Sequence, residues 1–146
     1  MAQRTLFDKA TLNRLKKYPL YSQDGKGDDA VVSAKIFNPY GGHKIFITEY
    51  DGDDTMYGFA SMSGRYDDPN NEYGYFSKKE LENTRVRVGG VSLPLERDIS
   101  YRKPKTMGEV MERELHRPKA SRVSSNFNSV VGGTNTAAAA KGQVAG

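Results

Sequence analysis

Val31-Val32-Ser33-Ala34-Lys35-Ile36-Phe37, then Asn38-Pro39-Tyr40-Gly41-Gly42, then His43-Lys44-Ile45-Phe46-Ile47-Thr48-Glu49-Tyr50 follow one another without interruption. The first segment is apolar and β-branched. In the third, Ile45 and Ile47 fall on one side and Phe46 and Thr48 on the other, the period of two that belongs to strands. The middle segment is built from turn formers, so the pair reads as a hairpin. Working outward, Asp51-Gly52-Asp53-Asp54 turns the chain into a third strand, Thr55 to Met62. After the polar loop Gly64 to Asn71, Glu72 to Phe76 forms a short fourth. Connections this short make consecutive strands antiparallel neighbours.

Helical signals flank this meander. Asp8 is placed to cap a short helix in which Leu12 and Leu15 share a face and which Pro19 ends. Ser77-Lys78-Lys79-Glu80 has the spacing of a capping box and opens a short helix that stops before Gly89-Gly90. Thr106-Met107-Gly108-Glu109 repeats the pattern and predicts a helix to about Leu115, with Val110 and Met111 available to pack. A further strand falls between them from Leu93 to Arg97 or Ile99, placed at an edge by Pro94. The expected fold is α+β: an antiparallel sheet of three to five strands with two or three short helices packed on one side of it.

Pro118 closes the ordered reading. The expected organisation is one globular domain over residues 1–116 and a flexible tail over 117–146, basic at first and then rich in Gly, Ala, Ser and Asn, with little apolar surface to offset ordering. Charge follows the same division. Residues 1–100 carry 14 Lys and Arg against 15 Asp and Glu, whereas residues 101–146 carry 8 against 3. The excess positive charge therefore lies in the C-terminal third, and charges on the globule serve solubility. The absence of cysteine excludes disulfides, thiolate chemistry and cysteine metal sites. No apolar run approaches a membrane span, and the N-terminus lacks the apolar stretch of a secretory signal. The expectation is a cytoplasmic protein, of a cell or of an infected host.

Lys35-Ile36-Phe37-Asn38-Pro39, Ile45-Phe46-Ile47-Thr48-Glu49-Tyr50-Asp51, Tyr57-Gly58-Phe59, Glu72 through Glu82 and Leu93-Pro94-Leu95-Glu96-Arg97-Asp98 occur in this order. In that order and spacing they resemble the bacterial and phage family catalogued as domain of unknown function 2958. The resemblance spans roughly Leu12 to Glu112 and implies a setting on a phage, plasmid or other mobile element. It implies no activity and transfers no catalytic or binding residue.

The densest group of carboxylates is Asp51, Asp53 and Asp54, just after Glu49. Oxygens at alternate positions suit a hard cation, but the glycine and closing glutamate of a calcium loop are missing, and an Asp/Gly turn accounts for the same residues. His43 and His116 have no partner at motif spacing, and no serine elbow, phosphate loop or paired-histidine zinc motif is present. No cofactor is expected, and the chain reads as non-catalytic. Tyr50, Tyr57, Phe59, Tyr66, Tyr73, Tyr75 and Phe76 cluster in the sheet region, where acidic neighbours would repel nucleic acid and a protein partner is favoured. Arg102, Lys103, Lys105, Arg117, Lys119 and Arg122 are the candidates for contacting phosphate or an acidic protein. The expected function is a protein-interaction accessory module acting on a host or phage protein. The alternatives are a minor virion or assembly component and a nucleic-acid binder acting through residues 102–122.

Overall fold

The computed structural model describes residues 5–119. The expectations for residues 120–146, Arg122 among them, lie outside the described residues. Helix α1 (Lys9–Leu15) is capped by Asp8, whose carboxylate accepts from Thr11 N at 2.8 Å. The chain then loops through Gln23 and a 3-10 turn at Gly27–Asp29 into β1 (Val31–Val32) and β2 (Ala34–Phe37). Strands β3 (Lys44–Tyr50), β4 (Thr55–Ser61) and β5 (Glu72–Ser77) complete the meander. Helix α2 (Lys78–Asn83), strands β6 (Arg85–Val88), β7 (Val91–Pro94) and β8 (Glu96–Arg97), a 3-10 turn at Ile99–Arg102, β9 (Lys105–Thr106) and α3 (Met107–Arg113) come next in the chain. The main sheet has the order β5-β4-β3-β2-β8, and every pairing in it is antiparallel. The fold is small and α+β, as the hairpin stretch implied.

Three local expectations are corrected. Val31 to Phe37 is not one strand: the chain leaves β3 at Ser33, and β1 pairs instead with β9. Leu93 to Arg97 divides in the same way. Leu93 and Pro94 belong to β7, paired with β6 across Gly89 and Gly90, while Glu96 and Arg97 edge the main sheet beside β2. Both glycines have positive φ, 56° and 84°, which suits a tight hairpin turn. The cap at Ser77 is half a box: its Oγ accepts from Glu80 N at 3.1 Å but also lies 2.6 Å from Asp54 Oδ2. The box at Thr106 is complete, with Glu109 Oε1 accepting from Thr106 N at 3.0 Å.

The sheet is also covered on both faces rather than one. Alternation along β2 and β3 sends Ala34, Ile36, Ile45 and Ile47 into a core with Leu6, Phe7, Leu15, Met56, Leu81 and Leu95. Phe46 and Phe59 point the other way, into a second core with Val32, Tyr101, Met107, Val110 and Leu115. Each buried aliphatic side chain contributes on the order of 1.5–3 kcal/mol. A two-sided sheet gives a chain of this size more core than a one-sided one.

Candidate functional site

Register on β3 shifts between Ile47 and Glu49. The extra residue is a β-bulge, which lets two successive side chains serve one face. Thr48 and Glu49 consequently both turn toward the face that carries Phe46. Tyr50 stays in the opposite core, 3% exposed.

The loop after α1 is built onto this bulge. The Glu49 carboxylate, in a residue only 2% exposed, accepts from Tyr21 N at 2.7 Å and from Gln23 N at 2.9 Å. Gln23, also buried, donates Nε2 to the carbonyls of Val31 (2.9 Å) and Thr48 (2.8 Å) and accepts from Val31 N at 2.6 Å. The side-chain amide thus takes the place of a strand where β1 parts from β3. Neither Glu49 nor Gln23 carries a site signal in the sequence, because their partners lie 25 or more positions away or in an irregular loop. Glu49 has no ion pair among the described residues, so its charge is met by neutral donors alone.

Beside Glu49 stands a wall of tyrosines. Tyr57 on β4 lies opposite Glu49 on one side and Tyr75 on the other, and Tyr73 is two positions along β5. The rings of Tyr57 and Tyr73 stack at 5.8 Å, Tyr57 meets Tyr75 at 5.0 Å, and Phe59 meets Tyr73 edge-on at 5.0 Å. Tyr21, at φ 72°, reaches across to hydrogen-bond the Tyr75 hydroxyl. Burial, then the charges of Glu49 and Asp24, raise the Tyr57 phenol; burial pushes Tyr73 up to about 12. The hydrogen bond with Tyr21 does the same for Tyr75, also to about 12. Tyr21, Tyr73 and Tyr75 remain 64%, 44% and 55% exposed. Between wall and loop lies a cavity of about 220 Å³ lined by Gln23, Asp24, Thr48, Glu49, Tyr57 and Tyr73 with loop backbone.

The carboxylates noticed in the sequence do other work. Asp51 Oδ1 accepts from the backbone N of Asp53, Asp54 and Thr55 at 2.8, 2.9 and 3.1 Å and so shapes the β3–β4 turn. Asp54 accepts from Ser77 Oγ and Lys79 N, tying that turn to the start of α2. Asp53 accepts from the Tyr50 hydroxyl through its carbonyl at 3.0 Å. No three His, Cys, Asp or Glu side chains converge as a metal centre among the described residues.

The basic candidates are dispersed. Arg117 pairs with Asp28 at 2.6 Å and lies 3.9 Å from Glu112. Lys105 lies 3.8 Å over the Tyr101 ring and donates to Ser100 Oγ at 3.1 Å. Arg102 acts on Arg14: burial chiefly lowers the Arg14 pKa, Asp8 opposes this, and the positive charges of Arg97 and Arg102 add to the lowering. Lys103 and Lys119 are exposed. His43 is half-buried, which lowers its pKa, while His116 lies just beyond α3 with φ 65°; neither hydrogen-bonds another described side chain. No helix among the described residues is long and apolar enough to cross a membrane.

No curated protein and no solved structure matches the chain. A family model matches residues 6–117, a span that takes in both cores, the bulge, the tyrosine wall and Arg117. The chain therefore belongs to the family described as Protein of unknown function (DUF2958).

Proposed function

We propose that this chain is a non-catalytic interaction module of a phage or other mobile element, and that it docks a host or phage protein through the tyrosine face. The observation that carries this reading is the exposure of Tyr21, Tyr73 and Tyr75 in one contiguous group. Tyrosines held rigid by stacking offer large contact area with little rotamer entropy to lose, which is why they anchor interfaces. The group also borders β5, which has no strand on its outer side among the described residues. A partner can thus meet rings and an open sheet edge together. The phage or mobile-element setting rests on the family resemblance.

The test is capture of partners from infected and uninfected host lysate by the wild type and by a Tyr73→Ala/Tyr75→Ala variant of unchanged circular dichroism. A stoichiometric partner retained by the wild type and lost by the variant is the expected result. Capture that is indifferent to the two tyrosines, or substrate turnover by the purified chain, overturns the reading.

A further inference from the structure

The cavity behind the tyrosine wall belongs to the proposed docking face, and a role for it rests on that reading. At about 220 Å³ the space falls below the roughly 300–1,000 Å³ of pockets that hold drug-sized ligands, so it suits a single side chain. Its chemistry is one-signed. Glu49 lies at its base, buried and without a cation; Asp24 lines its rim from an exposed position. The same loop adds Asp28 and Asp29 against Lys26. Buried charges are ordinarily paired, because neutral donors replace only part of the lost hydration. The wall opposite is made of tyrosine rings, whose faces attract cations. An anion would be repelled by the carboxylates, and an aliphatic side chain would strip water from them without compensation.

One guanidinium already occupies such a setting nearby. Arg117 lies between Asp28 and Glu112 at the end of the same loop, and its charge is felt at the Tyr73 hydroxyl. The acidic groove there, lined by Asp28, Asp29, Glu109 and Glu112, is thus served from within the chain. The cavity at Glu49 receives no such side chain from the described residues.

We propose that this cavity receives an arginine side chain of the docked protein, its guanidinium set between the tyrosine wall and the carboxylates of Glu49 and Asp24. Arginine fits better than lysine because its planar, weakly hydrated cation stacks on aromatic faces and presents several donors in one plane. The docked segment supplies main-chain contacts along β5, and the arginine selects which segment binds.

The experiment is a titration of the full nitrogen-15-labelled chain with N-acetyl-arginine methylamide, with the citrulline counterpart as a neutral isostere. The arginine compound is expected to shift the amides of Tyr21, Gln23 and Gly25 and to saturate in the millimolar range, as an isolated contact should. Citrulline is expected to bind about tenfold more weakly, since it lacks the charge. Asp24→Asn, at an exposed position that does not endanger folding, should weaken binding roughly threefold, the worth of one screened ion pair. Glu49→Gln keeps one acceptor for the loop and should weaken it about tenfold.

Equal binding of citrulline overturns the proposal, as do shifts confined to the Glu109–Glu112 groove or the absence of any shift. Binding that tightens in an Arg122→Gln/Lys141→Gln variant would make the chain's own C-terminal segment the occupant and would also overturn it. If arginine fails here while partner capture still depends on Tyr73 and Tyr75, the docking function stands and the arginine pocket falls. If arginine binds as described but capture ignores the tyrosines, the cavity keeps its ligand class and the docking face is elsewhere.

Discussion

The side-chain amide of Gln23 closes on the backbone of Val31 as a neighbouring strand would: Oε1 accepts from Val31 N at 2.6 Å and Nε2 donates to Val31 O at 2.9 Å. The same Nε2 reaches Thr48 O at 2.8 Å, so one buried residue ties β1 to β3 where the main chain does not. Replacing Gln23 with Ala leaves three backbone groups without that partner. The expected loss is about 2–3 kcal/mol, less than the sum of three orphaned groups because water can enter from the cavity. Urea unfolding should show a lower midpoint with an unchanged slope; a midpoint equal to that of the wild type would mean the amide only fills space.

Gly58 and Gly74 face each other across β4 and β5, yet they should respond to substitution in opposite ways. A Cβ at Gly58 would stand 2.0 Å from Phe46 O and 2.9 Å from Ile47 Cα, both backbone atoms that cannot swing aside. A Cβ at Gly74 meets nothing within 4 Å. Gly58→Ala should cost about 3 kcal/mol or more, whereas Gly74→Ala should be neutral or stabilise by a few tenths as the unfolded chain loses freedom. Thermal melts of the two variants decide it, and equal melting temperatures would contradict the close approach of β3 and β4.

These two sites mark the border of what the sequence made legible. The alternation Ile45-Phe46-Ile47, the cap at Asp8 and the box at Thr106 are local signals, and the structure obeys each of them. Ser33 and Leu95, where strands change partner, carry no local mark, because the break depends on β9 and β2 arriving from distant parts of the chain. The second core escapes a sequence reading for a related reason. Phe46 and Phe59 look like ordinary outward strand residues until α3 covers them. The cavity combines a bulge, a loop glutamine and rings from two strands, none of which forms a motif by spacing. Arg117, by sequence part of a basic tail, is held by Asp28, 89 positions earlier.

Tyr21 holds a left-handed backbone that costs a non-glycine residue on the order of 1–2 kcal/mol, and its hydroxyl contacts Tyr75. Strain of this kind persists where surrounding contacts over-determine it, here the 2.7 Å bond from Tyr21 N to Glu49. Tyr21→Gly relieves the strain but adds freedom to the unfolded chain, so stability should change by less than about 1 kcal/mol. The clear effect should be spectroscopic. Without its hydrogen bond the Tyr75 phenol, held up at about 12, should fall toward its ordinary 10, visible as earlier phenolate absorbance in an alkaline titration. An unchanged titration curve would remove the contact from the account of the tyrosine face.

Lys35 Nζ lies 2.6 Å from Glu114 Oε1 and 3.5 Å from Asp98 Oδ2, with 11% of its side chain exposed, and the Tyr101 hydroxyl completes the group by donating to Glu114. These contacts fasten the end of α3 to the sheet. Lys35→Met leaves the Glu114 carboxylate with the Tyr101 hydroxyl and, farther off, the Lys44 ammonium, which donates to the Glu114 carbonyl at 3.4 Å. The expected cost at neutral pH is about 2–4 kcal/mol. Burial raises the Asp98 pKa, but hydrogen bonds from Ser100 and the charge of Lys35 outweigh it, so the folded value lies below the ordinary 3.8. A carboxylate with a depressed folded pKa adds stability above its unfolded value and loses it as pH falls through the folded one. The gap between wild type and Lys35→Met should therefore be full above pH 3.8 and narrow below it. Unfolding midpoints measured at about pH 6 and about pH 3 check the sign, and a gap that widens on acidification would mean that Lys35 is not what keeps Asp98 ionised.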